Sequence, residues 1–458
     1  MKKRIAGLVL SAAMAAGLLA GCGGAASSGG MSGEEGKDAE PETTGENTES
    51  ASSDTAKKPY EGVTITLWGG TTEFNEGFQA VIERATEELG IKFETEINPG
   101  GTEGDNIIKT RCASGDLPDL SAYNSGSLLT ALNPKEHFLD LTDEGFMQNV
   151  DDTFKSVVSQ DGRVYGAPFP TTQGGCVIYW KPDYEELGLT VPTTWEDFVA
   201  NCRKLKDAGK TPVELTCGDT WTTQVLFLGD NYNLISAEPE FAQNFTEGTA
   251  KFAETEAAVR SWNKYADIRD FYNADASAAT YNDGITAMAN GEATHWFMLT
   301  QVIPMMVAEN PDCADKVGVF AIPGDDPDRC GLTVWEPGAW YVNRDSENKE
   351  ACLAFLEFWL RKDNMDLYIN TFGASGPSCV KGYTLPETVV PAIRVDMQQY
   401  FDAGKTIPAL EFLTTIKGAS CEQITTAAAL GQISGAEAAK QYDDDCKKSA
   451  MQQGLNWN

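Results

Sequence analysis

Histidine is nearly missing from this chain: its 458 residues include only His137 and His295. Eleven cysteines are present, but no two form a C-x-x-C pair, so the ligand spacing of a zinc site is lacking. Basic residues are scarce too, with 35 Lys and Arg against 68 Asp and Glu and a formal charge of −33. A surface that acidic repels phosphate backbones, which excludes nucleic acid as a partner. G-x-S-x-G, H-E-x-x-H and phosphate-cradling loops are all absent. The reading is therefore of a protein without catalytic residues, metal or cofactor. No apolar run after the first few residues is long enough to span a bilayer.

The one early apolar run, Ile5 to Leu19, follows Lys2, Lys3 and Arg4 and reads as a secretory signal over residues 1–22. Leu19-Ala20-Gly21-Cys22 resembles the bacterial lipobox, which makes Cys22 the expected lipidation site and membrane lipid an expected partner. Residues 23–58 are rich in Gly, Ser, Thr and Glu and almost devoid of apolar side chains. Such a stretch cannot offset its ordering entropy and is expected to be a disordered acidic tether. The expected location is the extracytoplasmic face of a cell membrane, in a Gram-positive bacterium. The ten later cysteines are scattered, and Cys202 and Cys352 lie on apolar helical faces, so mostly free thiols are expected.

The remaining 400 or so residues suffice for two or three domains. Val63–Trp68 alternates as a strand, Gly69-Gly70 breaks it, and Phe74, Phe78, Val81, Ile82, Ala85 and Leu89 follow at helical spacing. Ile91–Ile97, a helix over Asp105–Ala113 and a strand at Leu117–Tyr123 complete a parallel α/β unit. Further strands are predicted at Cys176–Trp180, Ala293–Met298, Val317–Pro323 and Gly338–Val342. Helices are predicted after Thr194, capped with Asp197, and over Glu350–Leu360. Trp195, Trp262 and Trp359 fall on helical stripes and His295 inside a strand, so all four are assigned to packing.

The order of "SGDLPDL" (114–120), "YGAPF" (165–169) and "IYWKPDYEELGLTVPTTWEDF" (178–198) resembles the extracellular solute-binding proteins of carbohydrate transporters, the maltose-binding-protein-like class. "NGEATHWFM" (290–298), "VGVFAIPG" (317–324) and "GAWYVNRDSENKEACLAFLEFWL" (338–360) continue it. The resemblance implies an α/β, two-lobed periplasmic-binding-protein-like fold, each lobe a mixed sheet flanked by helices and joined by a multi-crossing hinge. Lobe 1 is expected at 59–167 plus 320–372, lobe 2 at 168–319 plus 373–458, with Gly373–Gly376 near the last crossing. It also implies a monomeric receptor that captures a carbohydrate and delivers it to the permease subunits of an ABC importer.

A sugar site needs flat aromatic rings for C–H faces and polar groups for hydroxyls, near strand ends or the hinge. Trp68, Tyr123, Asn124, Asp219, Trp221, Trp335 and Glu336 meet that test. Thr72 and Gln173 are added because the family often contacts sugar there. Gly69-Gly70 stands where maltose-binding members carry polar residues, and 297–304 lacks their glycine-rich stretch, so maltose itself is not implied. Ten tryptophans favour an oligosaccharide. The alternatives are a secreted carbohydrate-active enzyme, which would need a cleft carboxylate pair, or the same fold holding a peptide or polyamine.

Overall fold

The computed structural model describes residues 58–457. The secretory signal, Cys22 and all of the tether except Lys58 lie outside the described residues.

Five strands build the first sheet. β1 (Thr64–Gly69), β2 (Lys92–Ile97) and β3 (Leu120–Tyr123) are parallel, in the order β2-β1-β3. A small hairpin of β4 (Ser159–Gln160) and β5 (Arg163–Val164) precedes β6 (Gly166–Pro168). The chain then leaves for a second sheet of β7 (Gln173–Trp180), β8 (Thr211–Glu214), β9 (Ala293–Leu299), β10 (Val317–Ala321) and β11 (Leu332–Trp335). It returns with β12 (Ala339–Val342), antiparallel to both β3 and β6, and ends in the second sheet with β13 (Thr406–Pro408).

Local chemistry explains the α/β start. In β1 the buried Ile65 and Leu67 alternate with half-buried Thr64 and Thr66. The following helix, Glu76–Leu89, begins where Asn75 Oδ1 accepts the Phe78 amide at 3.0 Å. It ends at Gly90, whose φ of 83° suits glycine. Its buried stripe of Phe78, Val81, Ile82 and Ala85 covers the sheet, with the Phe78 ring 5.3 Å from that of Trp340. The second lobe has its own core, in which Phe227 stacks on Trp262 at 3.9 Å and Trp195 on Phe198 at 5.1 Å.

One expectation needs correction. The predicted return to lobe 1 at residue 320 does not occur there, because β10 and β11 lie end to end along one edge of β7 while β9 covers the other. Val319, Phe320, Leu332 and Val334 are buried among second-lobe residues, and the chain changes sheet only between Trp335 and Ala339. Trp335, chosen for a place near a strand end or the hinge, is the last residue of β11.

Packing assignments for the helical tryptophans hold: Trp195, Trp262 and Trp359 are buried. His295 is enclosed as well. Its Nδ1 lies 2.7 Å from the Pro212 carbonyl, which can only accept, so Nδ1 carries the proton and Nε2 accepts from Tyr184 OH at 2.8 Å. Burial drives its pKa down to about 3. The cysteines of the described residues are free thiols, all but Cys330 buried. Among the described residues no helix is long and apolar enough to cross a membrane, and no cluster of three His, Cys, Asp or Glu could hold a metal ion.

Candidate ligand-binding cleft

Strand direction brings the candidate residues to one place. β1 and β3 end at Gly69 and Tyr123, and β12 starts opposite Tyr123. In the second sheet β8, β9, β11 and β13 end on the side where β7 begins: Gln173 pairs with Trp335 and Gly175 with Leu299. The connections 169–172 and 336–338 join these same ends of the two sheets. A third stretch runs beside the first, where Thr171 bridges Ser378 and the Thr172 amide donates to the Pro377 carbonyl at 2.8 Å. The carboxyl ends of the parallel strands thus face one another across a hinge, the place where open α/β sheets hold ligands.

The expected contacts fare differently there. Trp68 is 1 % exposed and part of the first-lobe core, so its ring offers no face to a ligand. Tyr123 is 5 % exposed, and its hydroxyl donates to Asp105 Oδ1 at 2.7 Å. Burial, then the Asp105 charge, holds its pKa far above the ordinary range. Asn124 is exposed, with its carbonyl accepting from Tyr341 OH. Thr72 is half-buried, and its carbonyl accepts from Asn75 Nδ2. Gln173 is half-buried at the start of β7.

Asp219 Oδ2 accepts the Tyr281 amide at 2.7 Å, and the half-buried Trp221 ring lies 5.0 Å from that of Tyr281. Trp335 is 9 % exposed and belongs to the second core, with Nε1 donating to Glu411 Oε1 at 2.5 Å. Glu336 is half-buried on the crossing itself, and the Cys379 thiol reaches its Oε2 at 3.9 Å. Burial, reinforced by the Asp151 charge, raises the Glu336 pKa to about 7.

The cleft also holds residues that sequence reasoning missed. Glu73 follows the Gly-Gly turn of lobe 1, and its Oε2 accepts the Gly70 amide at 2.8 Å. Burial raises its pKa, and its charge is felt at Tyr281 of lobe 2. Glu411, Phe412 and Lys417 follow β13. Lys417 Nζ contacts Glu411 Oε2 at 2.5 Å. Gly126 of lobe 1 sits so close to this segment that a Cβ there would lie 2.6 Å from the Phe412 ring and 2.9 Å from the Glu411 carbonyl oxygen. The only signal for Glu73 was its polar neighbourhood after a strand. Tyr281 opens a helix just after the capping Thr280 and carried no signal of its own in the sequence.

Two α/β lobes with strand ends and side chains facing across three connecting stretches define a receptor that encloses a solute. The chain belongs to the bacterial extracellular solute-binding proteins, whose family pattern matches residues 80–393. It is similar to the multiple sugar-binding protein of Streptococcus mutans, 24% identical over 331 residues covering 70% of this chain and 76% of that protein. The melibiose/raffinose/stachyose-binding protein MelE of Bacillus subtilis is 25% identical over 336 residues, covering 69% of this chain and 73% of its own. Among solved structures, RafE in complex with raffinose superposes with a TM-score of 0.70 at 20% identity, over 84% of this chain and all of RafE. A chitin oligosaccharide binding protein gives 0.69 at 18% identity, over 84% of this chain and 99% of its own.

Proposed function

We propose that this protein is the solute-binding component of an ABC importer and that it captures an oligosaccharide between its lobes. The observation that carries this reading is the half-buried Trp221–Tyr281 ring pair at the hinge end of lobe 2, where the charge of Glu73 of lobe 1 is felt at Tyr281. Rings of this kind stack on C–H faces, and carboxylates accept from hydroxyls once water is expelled. Asp219 fixes the pair by accepting the Tyr281 amide. Relatives that bind raffinose-type sugars support the choice of cargo. The proposal places the receptor, as a monomer, on the outer face of the membrane, tethered through a lipidated Cys22 and docking on permease subunits. No catalytic step is assigned to it.

Raffinose, stachyose, melibiose and chitin oligosaccharides, with spermidine and a mixed peptide pool as controls, are screened by thermal shift. A sugar that binds only the folded chain stabilises it by about 2.7 kcal/mol at 100 times Kd. Trp221→Ala is expected to abolish that shift while leaving the ligand-free melting point within a few degrees. Stabilisation by spermidine or peptide alone, or cleavage of the bound sugar, overturns the reading.

A further inference from the structure

We propose that Glu422 is a positioning residue of the ligand site: through Thr220 it seats the turn that carries Trp221, and so fixes the ring offered to the solute. The inference rests on the reading above, in which Trp221 stacks on a captured sugar.

Trp221 stands on a short 3-10 turn, Thr220–Gln224. At about three residues per turn, Thr220 and Thr223 share one face, Thr222 takes a second and Trp221 the third. Each face has its own partners. The Thr222 hydroxyl donates to the Thr216 carbonyl at 2.8 Å. The Trp221 ring meets that of Tyr281 at 5.0 Å. The shared face of Thr220 and Thr223 lies against the helix Cys421–Ala429. There Thr220 Oγ1 donates to Glu422 Oε2 at 2.9 Å, and the Thr223 hydroxyl is 2.8 Å from that of Thr425 and 3.0 Å from that of Thr426.

A turn this short is held by its surroundings rather than by itself. Asp219, just before it, caps none of its amides and accepts the Tyr281 amide instead. Thr223 is buried, and its carbonyl accepts from Tyr265 OH at 2.6 Å, which fixes the far end of the turn in the core. The end next to Trp221 is different. Thr220 and Glu422 are both half-buried, and the bond between their side chains ties that end to the helix. Removing the carboxylate frees Thr220 and lets the adjoining indole sample other rotamers. A solute then finds the ring seated in only part of the population, and its apparent affinity falls by that fraction. Glu422 thus acts on binding without touching the solute.

The test uses the full chain grown with 5-fluorotryptophan, in which Trp221→Phe identifies the fluorine signal of Trp221 among the ten tryptophans. Without sugar, Glu422→Ala and Thr220→Val are each expected to shift and broaden that signal, while those of the buried Trp195, Trp262 and Trp359 stay in place. Glu422→Gln, which keeps an acceptor oxygen, should return it to the wild-type position. With whichever of the screened sugars stabilises wild type, Glu422→Ala should raise Kd about fivefold and Glu422→Gln should not. A Trp221 signal unmoved in both Glu422→Ala and Thr220→Val overturns the proposal. So does weakened binding with that signal unmoved, which would make Glu422 a ligand contact, or a Glu422→Gln as damaged as Glu422→Ala. Should Glu422→Ala not fold, Thr220→Val removes only the hydroxyl and decides the matter alone. If no sugar binds, the carbohydrate reading fails, and the fluorine signal of the ligand-free chain still decides the role of Glu422.

Discussion

Glu214 gives the chain an unusual response to pH. It is 5 % exposed at the end of β8, and Asn273 Nδ2 donates to its Oε1 at 3.0 Å. Burial, then the charges of Asp275, Asp283 and Glu292, raises its pKa from 4.5 to about 7. The folded state thus holds this proton more tightly than the unfolded chain. The stability it contributes is complete below about pH 4.5 and lost as pH climbs through about 7. A shift from 4.5 to about 7, at 1.36 kcal/mol per unit, comes to about 3 kcal/mol. Urea unfolding of wild type and Glu214→Gln at pH 5 and pH 8 isolates it, since glutamine keeps the acceptor for Asn273 but cannot ionise. The variant should gain about 2 to 3 kcal/mol more over wild type at pH 8 than at pH 5. An equal difference at both pH values would mean that Glu214 is already ionised in the fold, and the argument fails. Glu336 acts with the same sign, its pKa also raised to about 7, and its half-buried position makes the effect smaller.

Two further outcomes follow from groups buried in the second lobe. Lys264 and Asp230 are 1 % and 2 % exposed and paired, Lys264 also donating to the Pro323 carbonyl at 2.7 Å. Asp230→Ala strands the ammonium and should cost about 3–5 kcal/mol in urea unfolding, most of it recovered by adding Lys264→Met; a double variant no better than the single one refutes the stranded charge as the cause. His295, with its pKa lowered to about 3, adds stability above about pH 6.5 that fades as pH falls towards 3. Its ring signals in NMR should show no titration between pH 5 and 8, and a midpoint near 6.5 would place the ring in water.

Much of the architecture was legible because it rests on local period. The alternation at Ile65 and Leu67, the stripe from Phe78 to Ala85 and the stop at Gly90 needed no partner to be recognised. Strand ends were legible too, which is why the candidates gather on the hinge side of the two sheets. The direction of a side chain at a strand end was not. Trp68 and Trp221 satisfied the same test, yet one indole is swallowed by the first core and the other stays half-buried beside Tyr281. That choice depends on what the opposite element brings. β11 was missed for a related reason: Leu332–Trp335 is four residues long and makes sense as a strand only once the edge of β7 is seen to need a partner.

Gly174-Gly175 at the start of β7 is, in retrospect, the trace that Trp335 leaves in the sequence. Both lie in a strand and are buried, a costly use of glycine unless something must approach closely. At Gly175 that something is the indole: a Cβ would sit 2.2, 3.0 and 3.1 Å from three ring carbons, too close for a rigid group to yield. Gly175→Ala should therefore unseat the ring and break its bond to Glu411. Overpacking costs about 1–3 kcal/mol, and the buried carboxylate left without that donor adds about 1–3 more. A cycle with Trp335→Leu separates this clash from any intrinsic effect of alanine in the strand. In the Trp335→Leu background Gly175→Ala should cost less than 1 kcal/mol, because the ring it strikes is gone. An equal penalty in both backgrounds would show that the glycine serves the backbone of β7 rather than the seat of Trp335.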